Sequence, residues 1–331
     1  MQVIITGVAG YIGAHVANIF LESGYEVVGI DNLSTGFEKF IDSRIQFIKG
    51  DIQNEKITKS AFSLLKDKAS SGVIHCAGLK FAGESINKPL DFYESNTMST
   101  LQILKSMKEF EVRNLVFSSS CSIYGDIKSN FEVSEVSTLN PISPYGRSKK
   151  FAEEIISDFA AASTIKAVAL RYFNVAGNGN IIAHDASPFN LFPNLYRAIQ
   201  NKTDFNIYGN DYSTPDGTCV RDYVDVNLIS KAHFDVYSLL NKKPANSFEA
   251  YNLGSGIGTS VGEIIEKAKK YLVNDLKITY SKRREGDPSH ILASIDKAKI
   301  GFGWTHESTC DEMLIAGWNA WQRNNNYLES H

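Results

Sequence analysis

The apolar residues of this chain fall in short runs separated by longer stretches of helical spacing. "QVIITG" (2–7), "EVVGID" (26–31), "IQFIKGD" (45–51), "GVIHCAG" (72–78), "NLVFSSS" (114–120) and "KAVALRYFN" (166–174) are rich in Val, Ile and Phe. Most are apolar at successive positions, as strands covered on both faces are. Between them, "YIGAHVANIFLESG" (11–24) reads as a helix closed by Gly24. "TMSTLQILKSMKEF" (97–110) carries Met98, Leu101, Leu104 and Met107 at helical spacing. Alternation of strand and helix predicts a Rossmann-like, doubly wound parallel α/β sheet.

After Asn174 the alternation stops. "NVAGNGNIIAHDASPFN" is loop-like, and long loops in compact enzymes are usually functional. A helix, "NLISKAHFDVYSLL", and a strand, "AYNLGS", read as a return to the sheet. The pattern predicts a first unit from residues 1–174 plus about 222–252. A smaller mixed α/β C-terminal unit takes 175–221 plus about 253–331, with a ligand cleft between the two.

Composition narrows the function classes. A chain of 331 residues with 43% apolar and 21% charged residues has enough apolar surface for a core. The net charge of −3 gives no basic field for nucleic acid. Cys76, Cys121, Cys219 and Cys310 are far apart, and neither C-x-x-C nor zinc-ligand spacing occurs, so no metal is expected. Free thiols, no leader-like start and no apolar run of membrane-spanning length predict a cytoplasmic protein without a membrane partner.

"TGVAGYIG" places Gly7, Gly10 and Gly13 between the first strand and the first helix. That context makes a glycine triplet a dinucleotide loop, with the pyrophosphate on the helix N-terminus. Asp31 ends the second strand, where a carboxylate accepts from a ribose 2′-OH and repels a 2′-phosphate, which favours NAD over NADP. Asp51 and Ile52, after the third strand, suit the adenine.

Tyr145 and Lys149 stand four apart, on one face of a helix. A free tyrosine, with a pKa of roughly 10, is a poor base at neutral pH. A nearby ammonium favours the phenolate. Ligands of a doubly wound sheet bind outside the carboxyl ends of its strands, so Ser118 through Ser122 are expected to project toward cofactor and substrate.

These motifs resemble the extended short-chain dehydrogenase/reductase superfamily. "CAGLKFAGES", "SSSCSIYGD", "SPYGRSK", "LRYFNVAG", "YGNDYSTPDGTCVRDY", "YNLGSG" and "RREGD", spread over nearly the whole chain, are similar to the UDP-glucose 4-epimerases. The resemblance implies a catalytic set of Ser120, Tyr145 and Lys149. Tyr145 would take the proton of the sugar 4-OH, Ser120 would hold that oxygen, and Lys149 would bind the nicotinamide ribose and keep Tyr145 acidic. Hydride would pass from sugar C4 to NAD, the 4-keto sugar would turn over, and the hydride would return to its other face.

It also implies NAD contacts at Tyr11, Ile12, Asp31, Asn32, Asp51, Ile52, Cys76, Ala77, Lys80, Asn96, Ser118, Tyr172 and Phe173. UDP-sugar contacts carry over to Asn174, Asn190, Leu191, Asn206, Tyr208, Arg221, Arg284 and Asp287. Arginine forks suit a pyrophosphate. The family's sugar-pocket gatekeeper falls on Ile291, smaller than the tyrosine of glucose-only members, which implies room for UDP-GlcNAc and UDP-GalNAc. A homodimer through a bundle containing the 97–110 helix is implied as well. Val8, Ala14 and Cys76 depart from the family's usual residues without touching the three glycines. Two alternatives stay open. A 4,6-dehydratase would need an Asp-Glu pair where Cys121-Ser122-Ile123 stand, and an NAD-sensing regulator would typically lack Tyr145 or Lys149.

Overall fold

A computed structural model describes residues 1–126, 132–284 and 288–329. Its larger sheet is built from β1 (Gln2–Thr6), β2 (Glu26–Asp31), β3 (Gln46–Lys49), β4 (Gly72–His75), β5 (Asn114–Ser120), and the strands Lys166–Tyr172 and Ser247–Leu253. All pairings are parallel, and from one edge the order is Ser247–Leu253, Lys166–Tyr172, β5, β4, β1, β2, β3. The winding direction reverses between β1 and β4, which opens a crevice beyond their carboxyl ends.

The apolar runs have the cause their pattern suggested. Successive strand residues point to opposite faces, and both faces are covered. Val3 and Ile5 of β1 face one layer, where Val16 and Phe20 of the helix Tyr11–Glu22 meet Val236 and Tyr237 of the helix Val226–Leu240. Ile4 faces the other, with Phe62, Ile103, Met107 and Ile156 from the helices Glu55–Ser63, Ser99–Glu109 and Pro144–Ala161. Gly24 follows the first helix at φ +81°, a left-handed stop.

The 97–110 reading needs correction. A π-helical turn, Tyr93–Met98, precedes the regular helix Ser99–Glu109. Residues three apart each step back by about 60° at 3.6 residues per turn, so Met98 and Met107 fall on opposite sides. Met107 is fully buried and Met98 is 49% exposed.

The smaller sheet centres on the strand Val220–Asp225. It pairs with Gly258–Ser260, His290–Ala293 and Asn174–Ala176. Glu132–Val133 adds to it through His290–Ala293, an excursion from the first half that no sequence pattern announced. Phe192, Leu195, Ile264, Met313 and Trp321 pack in a separate core beside it. Residues 222–225, expected in the first unit, therefore sit in the second sheet, and the return begins at Val226. Ala298 and Trp304, expected in the second unit, pack into the first.

Candidate active site

The glycine loop is built by close approach. Gly7 lies at φ +71°, and a Cβ there would stand 2.7 Å from the Ala77 nitrogen. A Cβ on Gly13 would stand 2.0 Å from the Gly7 carbonyl oxygen. Only glycine lets the β1 turn, the helix start and the β4 turn converge. No side chain caps the helix Tyr11–Glu22 at Gly10, so its first amides remain open to an anion. The Asp31 carboxylate accepts from the Ala9 amide at 3.0 Å and the Leu33 amide at 2.8 Å, which ties β2 to the loop. Burial raises its pKa. The Tyr11 hydroxyl donates to the Gly177 carbonyl at 2.7 Å, and the Gly179 amide donates to His15 Nε2 at 3.1 Å.

The helix Pro144–Ala161 begins with Pro144 in its first turn and Ser143 as cap, accepting from the Gly146 amide at 3.1 Å. Tyr145 and Lys149 face the end of β5. Burial pushes the Tyr145 phenol up to about 12, opposed by its hydrogen bond with Ser120. Burial also brings Lys149 down to about 8. Lys149 Nζ donates to the Ser118 carbonyl at 2.8 Å and lies 4.8 Å from the Phe117 ring centre. The three groups of the expected catalytic set are thus together.

The serine run does not act as one. Strand alternation turns Ser119 to the opposite face, where its hydroxyl donates to Glu153 Oε1 at 2.5 Å. Ser118 Oγ is engaged by Tyr172 at 2.8 Å and lies 3.2 Å from Cys76 Sγ. Ser120 Oγ stays with Ser122 and Tyr145. Residues 118–122 all line the cavity, and the expectation is corrected only for the Ser119 hydroxyl, which turns away from it.

One cavity of about 1200 Å³ runs from the glycine loop past Tyr145 to Arg221 and Arg284. Every expected NAD contact lines it except Asn96, and among the described residues every expected UDP-sugar contact except Ile291. Asp287 lies outside the described residues. Asn96 sits behind the wall on the π turn, donating to the Leu79 carbonyl at 3.0 Å and Ser148 Oγ at 2.9 Å, while its Oδ1 is buried without a partner. Ile291 packs with Ile123, Tyr124, Val133, Phe173 and Ala293, so Phe173 and Cys121, not Ile291, present that cluster to the cavity.

On the substrate side, Arg284 stacks 4.0 Å from the Tyr208 ring centre, and Asn206 Oδ1 accepts from the Ser281 hydroxyl at 3.0 Å. Asn190 starts the helix Leu191–Asn201, but its side chain donates to Asp185 Oδ2 at 2.7 Å. Asp185 also pairs with Lys80 at 3.4 Å. Sequence reasoning missed Asp185, Phe37, Phe40, His184 and Trp321 on the cavity wall. Phe37, His184 and Asp185 lie in irregular segments without a period to mark them, and Trp321, on the helix Cys310–Glu329, reads only as core.

A glycine loop at the switch point, with a serine–tyrosine–lysine set at the neighbouring strand end, defines a protein of the short-chain dehydrogenase/reductase type. The chain belongs to the NAD dependent epimerase/dehydratase family, whose model matches residues 3–254. It is 38% identical over 324 residues to a UDP-glucose 4-epimerase of Lactobacillus helveticus, covering 96% of either chain. Among solved structures it is similar to a Bifidobacterium longum UDP-glucose 4-epimerase in complex with NAD+ and UDP. The TM-score is 0.89, with 33% identity over 98% of this chain and 99% of that one. The UDP-Glc/GlcNAc 4-epimerase of Campylobacter jejuni gives a TM-score of 0.82 at 32% identity over 97% of this chain and 99% of that one.

Proposed function

We propose that this protein is an NAD-dependent UDP-glucose 4-epimerase, and that the meeting of Ser120, Tyr145 and Lys149 at the mouth of the glycine-loop cavity carries that reading. The residues fit NAD: Gly7 and Gly13 form a cradle that a Cβ would fill, and the helix above them has open amides. We assign NAD to Gly7, Gly10, Tyr11, Ile12, Gly13, Asp31, Asn32, Asp51, Ile52, Cys76, Ala77, Lys80, Ser118, Tyr172 and Phe173, with Asn96 behind them. NAD bound there supplies the hydride acceptor and donor for sugar C4.

The chain's own work is proton handling and positioning. Tyr145 takes the proton of the sugar 4-OH and gives it back after the ring has turned. Ser120 holds that oxygen, and Lys149, anchored on the Ser118 carbonyl, sets the field in which the phenolate forms. Asn174, Asn190, Leu191, Asn206, Tyr208, Arg221 and Arg284 line the part of the cavity assigned to the UDP-sugar, with Arg221 and Arg284 for the pyrophosphate. Acceptance of UDP-GlcNAc and UDP-GalNAc is included in the proposal, through the apolar cluster of Ile291 behind Phe173. No carboxylate stands at Cys121-Ser122-Ile123, and burial pushes the Cys121 thiol up to about 12, so elimination gains no support.

We divide the chain into a cofactor unit, 1–173 with 226–253, and a UDP-sugar unit from the remainder, with Glu132–Val133 crossing into the second and Ala298 and Trp304 into the first. We place the protein in the cytoplasm as a homodimer. No helix among the described residues is long and apolar enough to cross a membrane, and no disulfide forms among the described residues. Exposed Phe151 on the catalytic helix, with exposed Ile86, Leu90 and Met98 on the helical segments beside it, offers the dimer face. The deciding experiment is a coupled assay on purified protein with UDP-galactose and UDP-GalNAc in parallel, without and with added NAD. Conversion of UDP-galactose supports the reading. No conversion of either with NAD present refutes it.

A further inference from the structure

A second buried network stands behind the wall formed by Cys76, Ser118 and Tyr172. Its centre is His233, fully buried on the helix Val226–Leu240 and absent from the cavity lining. His233 Nδ1 lies 2.9 Å from the Ile229 carbonyl oxygen. A carbonyl only accepts, so Nδ1 carries the proton and Nε2 is left as a bare acceptor. The Tyr172 hydroxyl is bonded to that Nε2. Burial keeps the imidazole neutral, with its pKa lowered to about 4, and holds Tyr172 well above the ordinary tyrosine range. The acceptor and the donor are therefore matched at all ordinary pH values.

The chain of contacts continues to the catalytic lysine. The Tyr172 hydroxyl lies 2.8 Å from Ser118 Oγ, His233 Nε2 lies 3.4 Å from the same atom, and the Ser118 carbonyl holds Lys149 Nζ at 2.8 Å. Tyr172 is also register partner of Ser120. A single imidazole nitrogen thus fixes the side chain opposite Ser120 and the residue that anchors Lys149. Ring packing alone would not: Tyr172 and His233 meet at a tilted 57° with centroids 5.5 Å apart, a contact a phenylalanine would also make.

We propose that His233 is a positioning residue for the Ser120–Tyr145–Lys149 site, acting through the hydrogen bond from Tyr172 to its Nε2 and through Ser118. The proposal rests on the epimerase reading for its kinetic test and on NAD binding for an independent one. His233→Gln puts a side-chain acceptor near the position of Nε2, His233→Asn puts one near Nδ1 instead, and His233→Phe keeps the ring without an acceptor. Displacement of an anchoring group costs roughly ten- to hundredfold in rate, so kcat with UDP-galactose falls about tenfold in the Asn and Phe variants. KM stays within about twofold, because no UDP-sugar contact is touched, and Gln restores kcat to within about threefold of the parent. The second readout is fluorescence titration of cofactor-stripped protein with NADH, in which Asn and Phe bind more weakly than Gln. Equal kcat and equal NADH affinity in the Gln and Asn variants would overturn the proposal, since a purely structural histidine predicts loss in step with melting temperature. If the Phe variant does not fold, the Gln–Asn pair still decides. If the parent lacks epimerase activity, the NADH titration decides alone, and the epimerase reading fails separately.

Discussion

Arg171 and Glu153 form an ion pair at 2.7 Å, with side chains only 5% and 4% exposed, directly under the helix face that carries Tyr145 and Lys149. The pair is fully engaged: Arg171 Nε also donates to Glu153 Oε1 at 3.0 Å, Ser119 donates to the same oxygen, and Arg171 Nη1 reaches the Tyr124 hydroxyl at 2.9 Å. Tyr145, Lys149 and Glu153 follow one another at four-residue intervals, so one helix face presents the catalytic pair at one end and this anchor at the other.

Removing one partner leaves a buried charge. Arg171→Met is expected to destabilise the protein by about 3–5 kcal/mol, whereas Arg171→Met with Glu153→Leu recovers much of that loss. Urea unfolding of the two variants checks it. Equal losses in the single and double variants would mean that packing, not the orphaned charge, sets the cost.

Tyr145→Phe is expected to lower kcat by roughly 10²–10⁴-fold while the melting temperature and the NAD content stay near those of the parent. The measurement is the coupled assay alongside a cofactor assay on the same preparation. A phenylalanine variant with near-parental turnover would assign the base elsewhere.

Gly13→Ala puts a methyl where only 2.0 Å separates it from the Gly7 carbonyl oxygen. Backbone has to move, at a cost of about 1–3 kcal/mol, and the cradle opens. The variant is expected to lose bound NAD as well as stability. Absorbance of the cofactor released on denaturation reads this directly.

Ile291→Tyr overfills the cluster behind Phe173, and the ring that lines the cavity is the side chain with somewhere to go. Overpacking of this kind costs about 1–3 kcal/mol. We expect the ratio of kcat/KM for UDP-GalNAc to that for UDP-galactose to fall. An unchanged ratio would remove Ile291 from any part in substrate size.

Three deeply buried histidines contribute to acid lability. Burial lowers His15 and His233 from 6.5 to about 4, and His75 to about 3. Each is neutral in the folded protein and gains a proton more readily when unfolded. The unfolded state therefore binds more protons below pH 6.5, and stability is lost as pH falls from about 6.5 toward 4. Melting temperature across pH 7.5 to 4.5 is expected to drop steadily. A flatter slope is expected in His15→Asn, whose Nε2 otherwise accepts from the Gly179 amide.

The sequence by itself determined the layered sheet, because apolar residues at successive strand positions can be stable only with cover on both faces. It also determined the nucleotide loop and the Tyr145–Lys149 face, since both are local: a turn that only glycine can make, and a four-residue helical step. Tertiary structure alone decided the rest. Ser118, Ser119 and Ser120 are chemically alike, yet Ser119 serves the ion pair and Ser118 the histidine, because the helices packed on either side of β5 decide what each face meets. Ile291 shares a cluster with Phe173 because Val220–Asp225 pairs both His290–Ala293 and Asn174–Ala176, segments far apart in the chain. His233 meets Ser118 across 115 positions of chain, on a helix whose apolar pattern announces burial but not the hydroxyls it is buried against.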